Sequence, residues 1–402
     1  MKILILSQYY LPETGAPQNR LSNLAGNLKK SGNEVALLTA LPNYPKYEKF
    51  PGYKGKWHCK ENIGGIPINR SYIFVSKRTG LLPRLASYIS FTISSYYSAS
   101  VRLKKFDVII CESPPLFLGI TAVLLKRKWK CKLVFNVSDL WPESVEKMNL
   151  INNKWILNRA YKLANWIYKN ADLISGQTKG IIDAIKQMQP KQKLFWFPNG
   201  VDIDAFKNYT HSKNGTSQPF NILYAGIIGH AQGLEVILHA AEILKYSNNI
   251  QFSIIGDGPV KENLLDLQNE LNLTNVTFIP NQPHQKIMEY LEHCDAYVVP
   301  LRKLDLFKGA IPSKLFEPLA FGKPILLGVD GEAKQLFIDE AQGGLFFEPE
   351  NANELAAAIL QLHNNPELAQ TLGAKGRDYV TTHFNRQHTA KEFEKELQLL
   401  FN

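Results

Sequence analysis

Apolar strand-like runs alternate with helix-like stretches along almost the whole chain, and this alternation constrains the fold more than any other feature. The runs in the first half are 2–7, 34–39, 107–111, 132–137 and 172–175. The pattern restarts in the second half with runs at 220–225, 251–255, 276–279, 296–300, 324–327 and 344–347. Strands that alternate with helices form βαβ units and parallel sheets. Each half therefore predicts one complete doubly wound α/β sheet.

The length of 402 residues supports the same division, because one hydrophobic core rarely serves so long a chain. Turn-forming residues at Pro198-Asn199-Gly200 place the domain boundary there. The polar segment 210–219 is predicted to be a surface loop of the second domain. The run at 2–7 is too short and too soon interrupted by polar residues to be a signal peptide, so we expect a strand.

The charge is divided unevenly between the halves. Residues 1–195 contain 30 Lys and Arg against 11 Asp and Glu, a net +19, whereas residues 196–402 contain 16 against 25, a net −9. Such asymmetry indicates that one domain approaches a polyanion, either nucleic acid or an anionic membrane face. The four cysteines, Cys59, Cys111, Cys131 and Cys294, form no C-x-x-C pair. We therefore expect neither disulfides nor structural zinc, which favours a reducing cytosol.

Glycine-containing turns follow the first strand of each half. Gly15 follows the first, and Gly226, Gly229 and Gly233 follow the run at 220–225. Unpaired N–H groups and the dipole of the following helix make such a turn an anion site. Neither turn is G-x-G-x-x-G, which argues against a dinucleotide. Two such turns suit a phosphate-bearing ligand between the domains, and a plain βα turn is the alternative.

The segment between the runs at 296–300 and 324–327 is the most informative part of the sequence. Ser313, Lys314 and Glu317 are spaced i, i+1 and i+4, which predicts one face of a helix near its N-terminus. Lys308, Lys314 and free backbone N–H groups could hold a diphosphate, and Glu317 could accept from two ribose hydroxyls. Together these groups indicate a nucleotide. A capped helix with a solvated lysine and glutamate is the structural alternative.

Seven motifs occur in order along the chain: Gly15-Ala16, Asp139-Leu140-Trp141-Pro142-Glu143-Ser144, Phe197-Pro198-Asn199-Gly200-Val201-Asp202, Gly226 to Gly233, Ile255-Gly256-Asp257-Gly258-Pro259, 295–300 and Ile311 to Glu317. With these motifs the chain resembles the retaining GT-B glycosyltransferases of family 4, and within them the bacterial O-antigen and capsule transferases of the WbuB type. The resemblance covers nearly the whole chain.

The resemblance implies two Rossmann-like doubly wound domains that face each other across a cleft, the GT-B fold. It implies that a nucleotide sugar binds mainly to the C-terminal domain. It also implies that the final helix, with Phe393, Leu397, Leu400 and Phe401, crosses back to the first domain. The expected domains are then 1–198 with 387–402, on the acceptor and membrane side, and 199–386, which binds the nucleotide sugar.

The donor-binding residues follow from the motifs and the resemblance together: Gly15, Ala16, Gly229, His230, Gln232, Lys308, Gly309, Ser313, Lys314 and Glu317. The chain also departs from the wider family, which has Arg and Lys at Ile227 and Gln232 and a second glutamate at Gly309. Phosphate charge must then be neutralised by Lys308, Lys314 and backbone N–H groups. Pro318 is expected to kink the predicted helix, because proline lacks the N–H that bonds one turn back.

The resemblance and the residues present indicate three catalytic candidates. Many relatives carry a histidine just before the aspartate of the motif at 139–144, where this chain has Ser138. Asp139, Glu143 and Lys314 are therefore the expected catalytic residues, and a helix cap is the alternative for Asp139. The one D-x-D sequence, 202–204, belongs to the junction turn. We expect no cofactor and no catalytic metal, since the nucleotide sugar is a substrate.

Cations and aromatic residues of the first half predict a membrane-facing or acceptor-facing surface: Arg84, Lys126, Arg127, Lys128, Trp129 and Lys130. They accompany an apolar stripe at Leu85, Ala86, Ile89, Ile93, Tyr96 and Tyr97. A buried core helix is the alternative for the face that contains Ile89 and Ile93. The expected location is the cytoplasm, peripheral on the inner face of the bacterial plasma membrane.

The sequence thus predicts a glycosyltransferase of O-antigen or capsule synthesis that moves a sugar to a polyprenyl-diphosphate-linked acceptor. From the resemblance, the expected donor is UDP-N-acetyl-L-fucosamine and the expected acceptor a GlcNAc diphosphate lipid. One alternative is a sugar-nucleotide epimerase on the same architecture, which would need no acceptor. The other is a basic nucleic-acid-binding α/β protein. No known binding module is visible in the sequence, so nucleic acid is not an expected partner.

Overall fold

A computed structural model describes residues 1–13, 15–44, 47–78, 80–148, 151–206, 219–247 and 249–402. It divides into two units, the first of Met1–Asn199 with Arg386–Asn402 and the second of Gly200–Asn385. Most of the predicted surface loop 210–219 lies outside the described residues. Thr14, which precedes the predicted glycine turn at Gly15, also lies outside the described residues, and so does Thr79.

The first unit contains one eight-stranded sheet. Its strands are β1 (Lys2–Leu6), β2 (Glu34–Ala40), β3 (His58–Ile63), β4 (Ile66–Ser71), β5 (Val108–Ser113), β6 (Lys132–Val137), β7 (Leu173–Gly176) and β8 (Leu194–Trp196). Their order is β3-β4-β2-β1-β5-β6-β7-β8, and only the β3–β4 pair is antiparallel. The chain winds outward in opposite directions from β1 and β5, so a topological switch point lies between their carboxyl ends.

The helices that flank this sheet before the chain enters the second unit are α1 (Ala16–Lys30), α2 (Leu81–Arg102), α3 (Leu118–Trp129), α4 (Glu143–Lys147), α5 (Lys154–Asn170) and α6 (Lys179–Met188). The sheet has an apolar core on both faces, as a parallel sheet requires. Leu4 and Phe135 point to one face, and Ile3 and Val134 to the other.

The sequence pattern did not predict the β3–β4 hairpin or β8. β3 is a polar edge strand, His-Cys-Lys-Glu-Asn-Ile, so it lacks the apolar run used to recognise the others. Gly64 and Gly65, both with positive φ, form its two-residue turn. A Gly-Gly pair between two short strands is a hairpin signal that would have revealed it.

The second unit contains a six-stranded parallel sheet. Its strands are β9 (Phe220–Ala225), β10 (Ile250–Ile255), β11 (Val276–Ile279), β12 (Ala296–Pro300), β13 (Ile325–Gly328) and β14 (Gly344–Phe346), in the order β11-β10-β9-β12-β13-β14. Its helices are α7 (Glu235–Ile243), α8 (Lys261–Glu270), α9 (His284–His293), α10 (Phe316–Ala320), α11 (Glu332–Lys334), α12 (Ala352–Asn364) and α13 (Pro366–His383). All six strands coincide with the predicted runs to within one residue.

The last helix, α14 (Arg386–Gln398), belongs to the first unit. Phe393 stacks on Phe197 with ring centres 4.5 Å apart, and Leu397 shares the core that contains α1. Asn33 also donates a hydrogen bond to Glu394 at 2.6 Å. The predicted return of the final helix to the first domain is therefore observed.

Helix α2 has polar residues on its inner face and large apolar residues on its outer face. Its inner face carries Thr92, Ser95 and Ser98, all buried, and Ser95 and Thr121 of α3 lie 3.2 Å apart through their hydroxyl oxygens. Its outer face carries Leu82, Ile89, Ile93, Tyr97 and Val101, which are between 46% and 78% exposed. The core-helix alternative for Ile89 and Ile93 is therefore wrong. Phe91 and Ala99 are buried beside the hydroxyl-bearing residues, so the inner face packs on the core while five large apolar residues remain outside.

Among the described helices, none combines the length and the apolar character needed to cross a membrane.

Candidate active site

Two glycine turns bring the carboxyl ends of β9 and β10 into backbone contact. A Cβ atom added to Gly256 would lie 1.9 Å from the carbonyl oxygen of Gly226, so only glycine fits there. Ile228 N donates to Asp257 O at 3.0 Å, which joins the two turns. The contact leaves an open strand end beside Gly226, at the edge of the sheet where ligands of α/β proteins bind.

Lys314 fills the space beside Gly226. Its Nζ and Cε would lie 2.5 and 2.4 Å from a Cβ at Gly226, so a side chain there would displace the lysine. The ammonium donates to the hydroxyl of Tyr224, which in turn donates to Ile227 O at 2.6 Å. Within the described part of the chain, Lys314 has no carboxylate partner. Burial away from water lowers the pKa of Lys314 from 10.5 to about 7.

Glu317 lies beside a histidine that the sequence did not single out. Its carboxylate is 2.9 Å from Nε2 of His284, the first residue of α9. Both side chains are partly exposed, so Glu317 can still accept hydrogen bonds from a ligand.

The predicted helix around Ser313 is shorter than expected. A 3-10 turn spans Ser313–Leu315, and α10 begins only at Phe316. Lys314 therefore lies in the 3-10 turn and contacts Tyr224, whereas Glu317 lies in α10 and contacts His284. The expected kink at Pro318 is also wrong: Pro318 falls in the first turn of α10, where its missing N–H has no helical partner to lose.

The other donor-site candidates of the second unit lie in nearby loops. Gly229 and His230 begin a 3-10 turn in which Gln232 N bonds to Gly229 O at 3.2 Å. The carbonyl of His230 accepts from Arg302 Nε at 2.8 Å. Lys308 is exposed and paired with Asp305 at 2.8 Å, in the 3-10 turn that ends at Gly309. A diphosphate would have to compete with Asp305 for Lys308.

Gly15 and Ala16 lie in the first unit, at the start of α1. Gly15 precedes the helix and approaches the side-chain amide of Gln18. Asp202 accepts the backbone N–H of Asp204 at 3.2 Å within a 3-10 turn. Among the described residues, no group of three or more His, Cys, Asp and Glu side chains is arranged to hold a metal ion.

A buried ion pair lies at the switch point of the first unit. Arg20 of α1 contacts Glu112 of β5 at 2.5 Å, with both side chains at most 4% exposed. Ser138 donates to the same carboxylate and accepts from Arg20 at 2.9 Å, while Asn136 donates to its other oxygen at 2.7 Å. A buried charge pair of this kind requires such additional hydrogen bonds. The network fixes Ser138, the position where many relatives have histidine.

Asp139 follows this network directly. Its Oδ2 accepts from the hydroxyl of Ser144 at 3.1 Å. The N-cap position of α4 is occupied by Pro142, which forms no side-chain cap, so Asp139 is not the cap of that helix. Desolvation by the surrounding protein raises the pKa of Asp139, and the Ser144 bond opposes this. Glu143 is paired with Lys147 at 2.7 Å.

The predicted membrane-facing cluster at 126–130 is held by the protein itself. Trp129 is 7% exposed and packs on Phe106, so its assignment to a surface is wrong. Lys126 pairs with Asp172 at 2.7 Å, Arg127 bonds to Asn170 at 3.1 Å, and Lys128 bonds to Ser100 O at 3.2 Å. Lys130 caps α3 in the left-handed conformation, with its side chain exposed.

Arg84 does not join this cluster. It lies in the first turn of α2, 16 residues before Ser100, which is about 24 Å along a helix.

Sequence reasoning missed Tyr224, His284, Arg20 and Glu112. Arg20 and Glu112 are 92 residues apart, and Glu317 and His284 are 33 apart, so each pairing depends on the tertiary fold. The one available signal was charge inside otherwise apolar elements. Glu112 interrupts the strand Val-Ile-Ile-Cys-Glu-Ser, and a charged residue there requires a buried partner.

Comparison with known proteins identifies the two units by family. Residues 18–205 match the family described as Glycosyltransferase Family 4, and residues 206–379 match Glycosyl transferases group 1. The putative colanic acid biosynthesis glycosyl transferase WcaI of Escherichia coli K12 is 26% identical over 99% of this chain and all of the relative. The alpha-monoglucosyldiacylglycerol synthase of Acholeplasma laidlawii is 22% identical over 98% and 96% of the two chains.

Solved structures share the fold. Sucrose-phosphate synthase of Thermosynechococcus elongatus has a TM-score of 0.76 at 17% identity, covering 100% of this chain and 99% of the other. Anabaena HepE in complex with UDP has a TM-score of 0.68 at 17% identity, covering 99% and 100%. Two Rossmann-like domains with parallel sheets, as predicted, are thus confirmed. The chain belongs to the GT-B glycosyltransferases, with a family 4 domain at its amino end and a group 1 domain at its carboxyl end.

Proposed function

We propose that this glycosyltransferase moves a sugar from a UDP-sugar to a lipid-diphosphate-linked sugar, with retention at the anomeric carbon, in the synthesis of a cell-surface polysaccharide. The observation that carries the donor half is Lys314, a partly buried lysine that lies against Gly226 and has no carboxylate partner within the described residues. The name of the relative WcaI and the UDP complex of the fold neighbour HepE support polysaccharide synthesis and a UDP donor.

In this proposal the second unit binds the donor. The diphosphate lies at the Gly226 turn, where it accepts from backbone N–H groups and from Lys314. Glu317, oriented by His284, accepts from the ribose hydroxyls. Lys308 contributes once the diphosphate has displaced Asp305. The proposal includes no metal ion or other cofactor.

The reaction is a front-face substitution. The bond between the anomeric carbon and the UDP oxygen breaks, and a bond to the acceptor oxygen forms on the same face. The acceptor proton passes to the departing phosphate oxygen, and UDP leaves. Lys314 stabilises the negative charge that grows on the diphosphate. Asp139 orients the acceptor hydroxyl or stabilises positive charge at the anomeric carbon, with Glu143 beside it.

The proposed donor sugar is N-acetyl-L-fucosamine and the proposed acceptor a GlcNAc diphosphate lipid. Membership of a transferase family favours transfer over an epimerase or a nucleic-acid-binding protein. Product analysis with and without acceptor tests this choice, because an epimerase would convert the donor without any acceptor.

The first unit approaches an anionic bilayer through α2 in this proposal, peripheral on the inner face of the plasma membrane. Its outer face exposes five large apolar side chains, flanked by exposed Arg84, Arg102, Lys104 and Lys105. An apolar stripe with basic flanks is typical of a helix that lies in a membrane interface. The net +19 of residues 1–195 adds long-range attraction to anionic lipids.

A ligand panel tests the donor. UDP-, GDP- and dTDP-sugars are added one at a time while the midpoint of thermal unfolding is followed. A ligand at 100 times its Kd adds about 2.7 kcal/mol to stability, so the correct base is readily distinguished. If the midpoint of thermal unfolding with UDP-sugars equals the midpoint without ligand, the proposal of a UDP-sugar donor is wrong.

A further inference from the structure

Four tyrosines and one arginine cluster at the carboxyl ends of β1 and β2. Tyr9 follows β1, Tyr44 and Tyr47 follow β2, and Arg84 and Tyr88 lie in the first two turns of α2. The rings of Tyr9 and Tyr44 are 5.5 Å apart between centres, and those of Tyr44 and Tyr47 are 6.0 Å apart, edge to face. Burial raises the pKa of the Tyr88 hydroxyl, against the opposing effect of nearby Arg84, and Tyr88 in turn contributes to the raised pKa of Tyr9. These five residues are called the tyrosine cluster below.

A buried carboxylate fixes the two loops that carry the cluster. Glu13, 1% exposed, accepts the backbone N–H of Tyr10 at 3.1 Å, of Asn43 at 2.7 Å and of Tyr44 at 2.8 Å. It thereby ties the loop after β1 to the loop after β2. The aromatic rings are consequently held in place before any ligand arrives, which reduces the entropy lost on binding.

The polar groups of Arg84, Tyr44, Tyr47 and Tyr88 are not used by the fold. Within the described residues, Arg84 pairs with no carboxylate, and the hydroxyls of Tyr44, Tyr47 and Tyr88 make no hydrogen bond. Tyr47 is 39% exposed and also borders a groove of about 410 Å³, whose wall includes Lys49 and Tyr72. The Lys49 ammonium lies 4.4 Å from the centre of the Tyr72 ring. The region therefore offers cations, aromatic faces and free hydroxyl groups together.

We propose that the tyrosine cluster binds the sugar-diphosphate head of the lipid-linked acceptor. This inference rests on the proposed function and assigns its acceptor site to named residues. Arg84 pairs with the diphosphate through its planar fork of N–H donors. The tyrosine rings contact the apolar face of the sugar, and their hydroxyls bond to its hydroxyl groups.

The position of the cluster on α2 fits the remainder of such a ligand. Leu82, 78% exposed, lies two residues before Arg84 and begins the apolar outer face of α2. An isoprenoid chain attached to the diphosphate can follow this face into the bilayer. The cluster also lies at the carboxyl edge of the sheet, close to the switch point between β1 and β5, where ligands of doubly wound sheets bind.

The test measures acceptor binding without donor and without membrane. The probe is GlcNAc linked to farnesyl diphosphate, which is short enough to remain in solution, and its Kd is measured by titration calorimetry. UDP binding is measured separately on each variant. Arg84→Gln is expected to weaken the probe at least tenfold and Tyr44→Leu severalfold, with unchanged UDP affinity. Arg159→Gln, which replaces an exposed arginine of α5 outside every proposed site, is the matched control and should change neither.

Three results would overturn the site. One is wild-type affinity of Arg84→Gln and Tyr44→Leu for the probe. Another is the absence of probe binding to a wild-type protein that binds UDP. The third is an equal loss of affinity for dihexanoylphosphatidylglycerol in Arg84→Gln, which would make Arg84 a general lipid-headgroup contact. Failure of the wild type to bind UDP would instead overturn the proposed function. Arg84→Lys retains the positive charge but lacks the planar fork of N–H donors. It should therefore weaken probe binding less than Arg84→Gln does.

Discussion

The ammonium group of Lys314 lies 4.2 Å from the centre of the Tyr224 ring and donates a hydrogen bond to the Tyr224 hydroxyl. This arrangement places a cation at the end of β9 against the hydroxyl and the aromatic face of one tyrosine. No carboxylate among the described residues pairs with the lysine, so its charge is available to an anionic ligand.

The first prediction concerns pH. Between pH 7 and 10.5 the unfolded chain carries a proton on Lys314 that the folded chain lacks, because the folded pKa is lowered to about 7. Stability therefore rises with pH across this window, by up to about 1.4 kcal/mol per pH unit from this group, and is lost as pH falls. Lys314→Met lacks this contribution. In urea unfolding at pH 7, 8 and 9, the free energy of unfolding of the wild type should rise relative to that of the variant as the pH rises. A difference between the two proteins that does not change with pH would contradict the assignment.

The second prediction concerns Glu317. Glu317→Ala should weaken UDP binding by about 1.5 to 3 kcal/mol, the range for hydrogen bonds to a charged group. His284→Ala should have a smaller effect, since His284 contacts the carboxylate and not the ribose in the proposed site. Calorimetric titration with UDP measures both. Glu317 would be excluded from the donor site by an unaltered Kd in a folded variant.

The third prediction concerns the Arg20–Glu112 pair. Arg20→Met should destabilise the first unit by about 3 to 5 kcal/mol, because Glu112 is left buried without its counter-charge. Arg20→Met combined with Glu112→Gln should recover part of this loss, which urea unfolding can measure. Lys395→Met, which breaks the exposed pair with Glu392, is the control and should cost at most about 1 kcal/mol. An equal loss in the single and double variants would show that charge is not the cause.

The fourth prediction concerns Asp139. Asp139→Asn should slow turnover with a lipid-linked acceptor while UDP binds normally. Ser144→Ala removes a hydrogen bond that stabilises the ionised carboxylate, so it should raise the pKa of Asp139. In a plot of turnover rate against pH, the fall in rate at low pH should therefore move to higher pH in Ser144→Ala. This fall should be absent in Asp139→Asn. Full turnover of Asp139→Asn would remove Asp139 from the reaction.

The fifth prediction concerns membrane contact. Ile93→Asn with Tyr97→Asn should reduce sedimentation with vesicles that contain phosphatidylglycerol, and high salt should reduce it for the wild type. A matched variant with Lys126, Arg127, Lys128 and Lys130 replaced by Gln tests the charge cluster apart from the apolar face. We expect this variant to lose less vesicle binding than the Ile93→Asn and Tyr97→Asn variant, because three of its four replaced side chains already bond to the protein. Equal recovery of the wild type with neutral and anionic vesicles would contradict the electrostatic part.

The sequence predicted the strands well wherever they are continuously apolar. Strands β12 and β13 are of this kind, because burial on both faces leaves an unbroken run of apolar residues. It failed at β3, which is a polar edge strand. It also failed at Trp129, because the lysines and arginine on either side of it in the sequence suggested a surface, although the indole packs on Phe106. The alternation of apolar runs does not encode which residue of a basic stretch turns inward.

The candidate site was predicted only in part for a related reason. The sequence indicated Lys314 and Glu317 from their local spacing. It did not indicate Tyr224 or His284, because their proximity depends on the order of strands in the sheet. The helix predicted around Ser313 is a 3-10 turn that runs into a short α-helix, a difference in hydrogen bonding that residue spacing does not reveal.

The exposed apolar face of α2 has a practical consequence for protein engineering. Because the inner face, with Phe91, Ala99 and the buried hydroxyl-bearing residues, makes the folding contacts of this helix, the outer apolar residues can be exchanged with little cost in stability. Substitutions at the five exposed apolar positions of α2 can therefore change the affinity for a bilayer without any change to the core. A version with a hydrophilic outer face would be the natural starting point for crystallisation, since it removes the surface on which copies of the chain would otherwise aggregate.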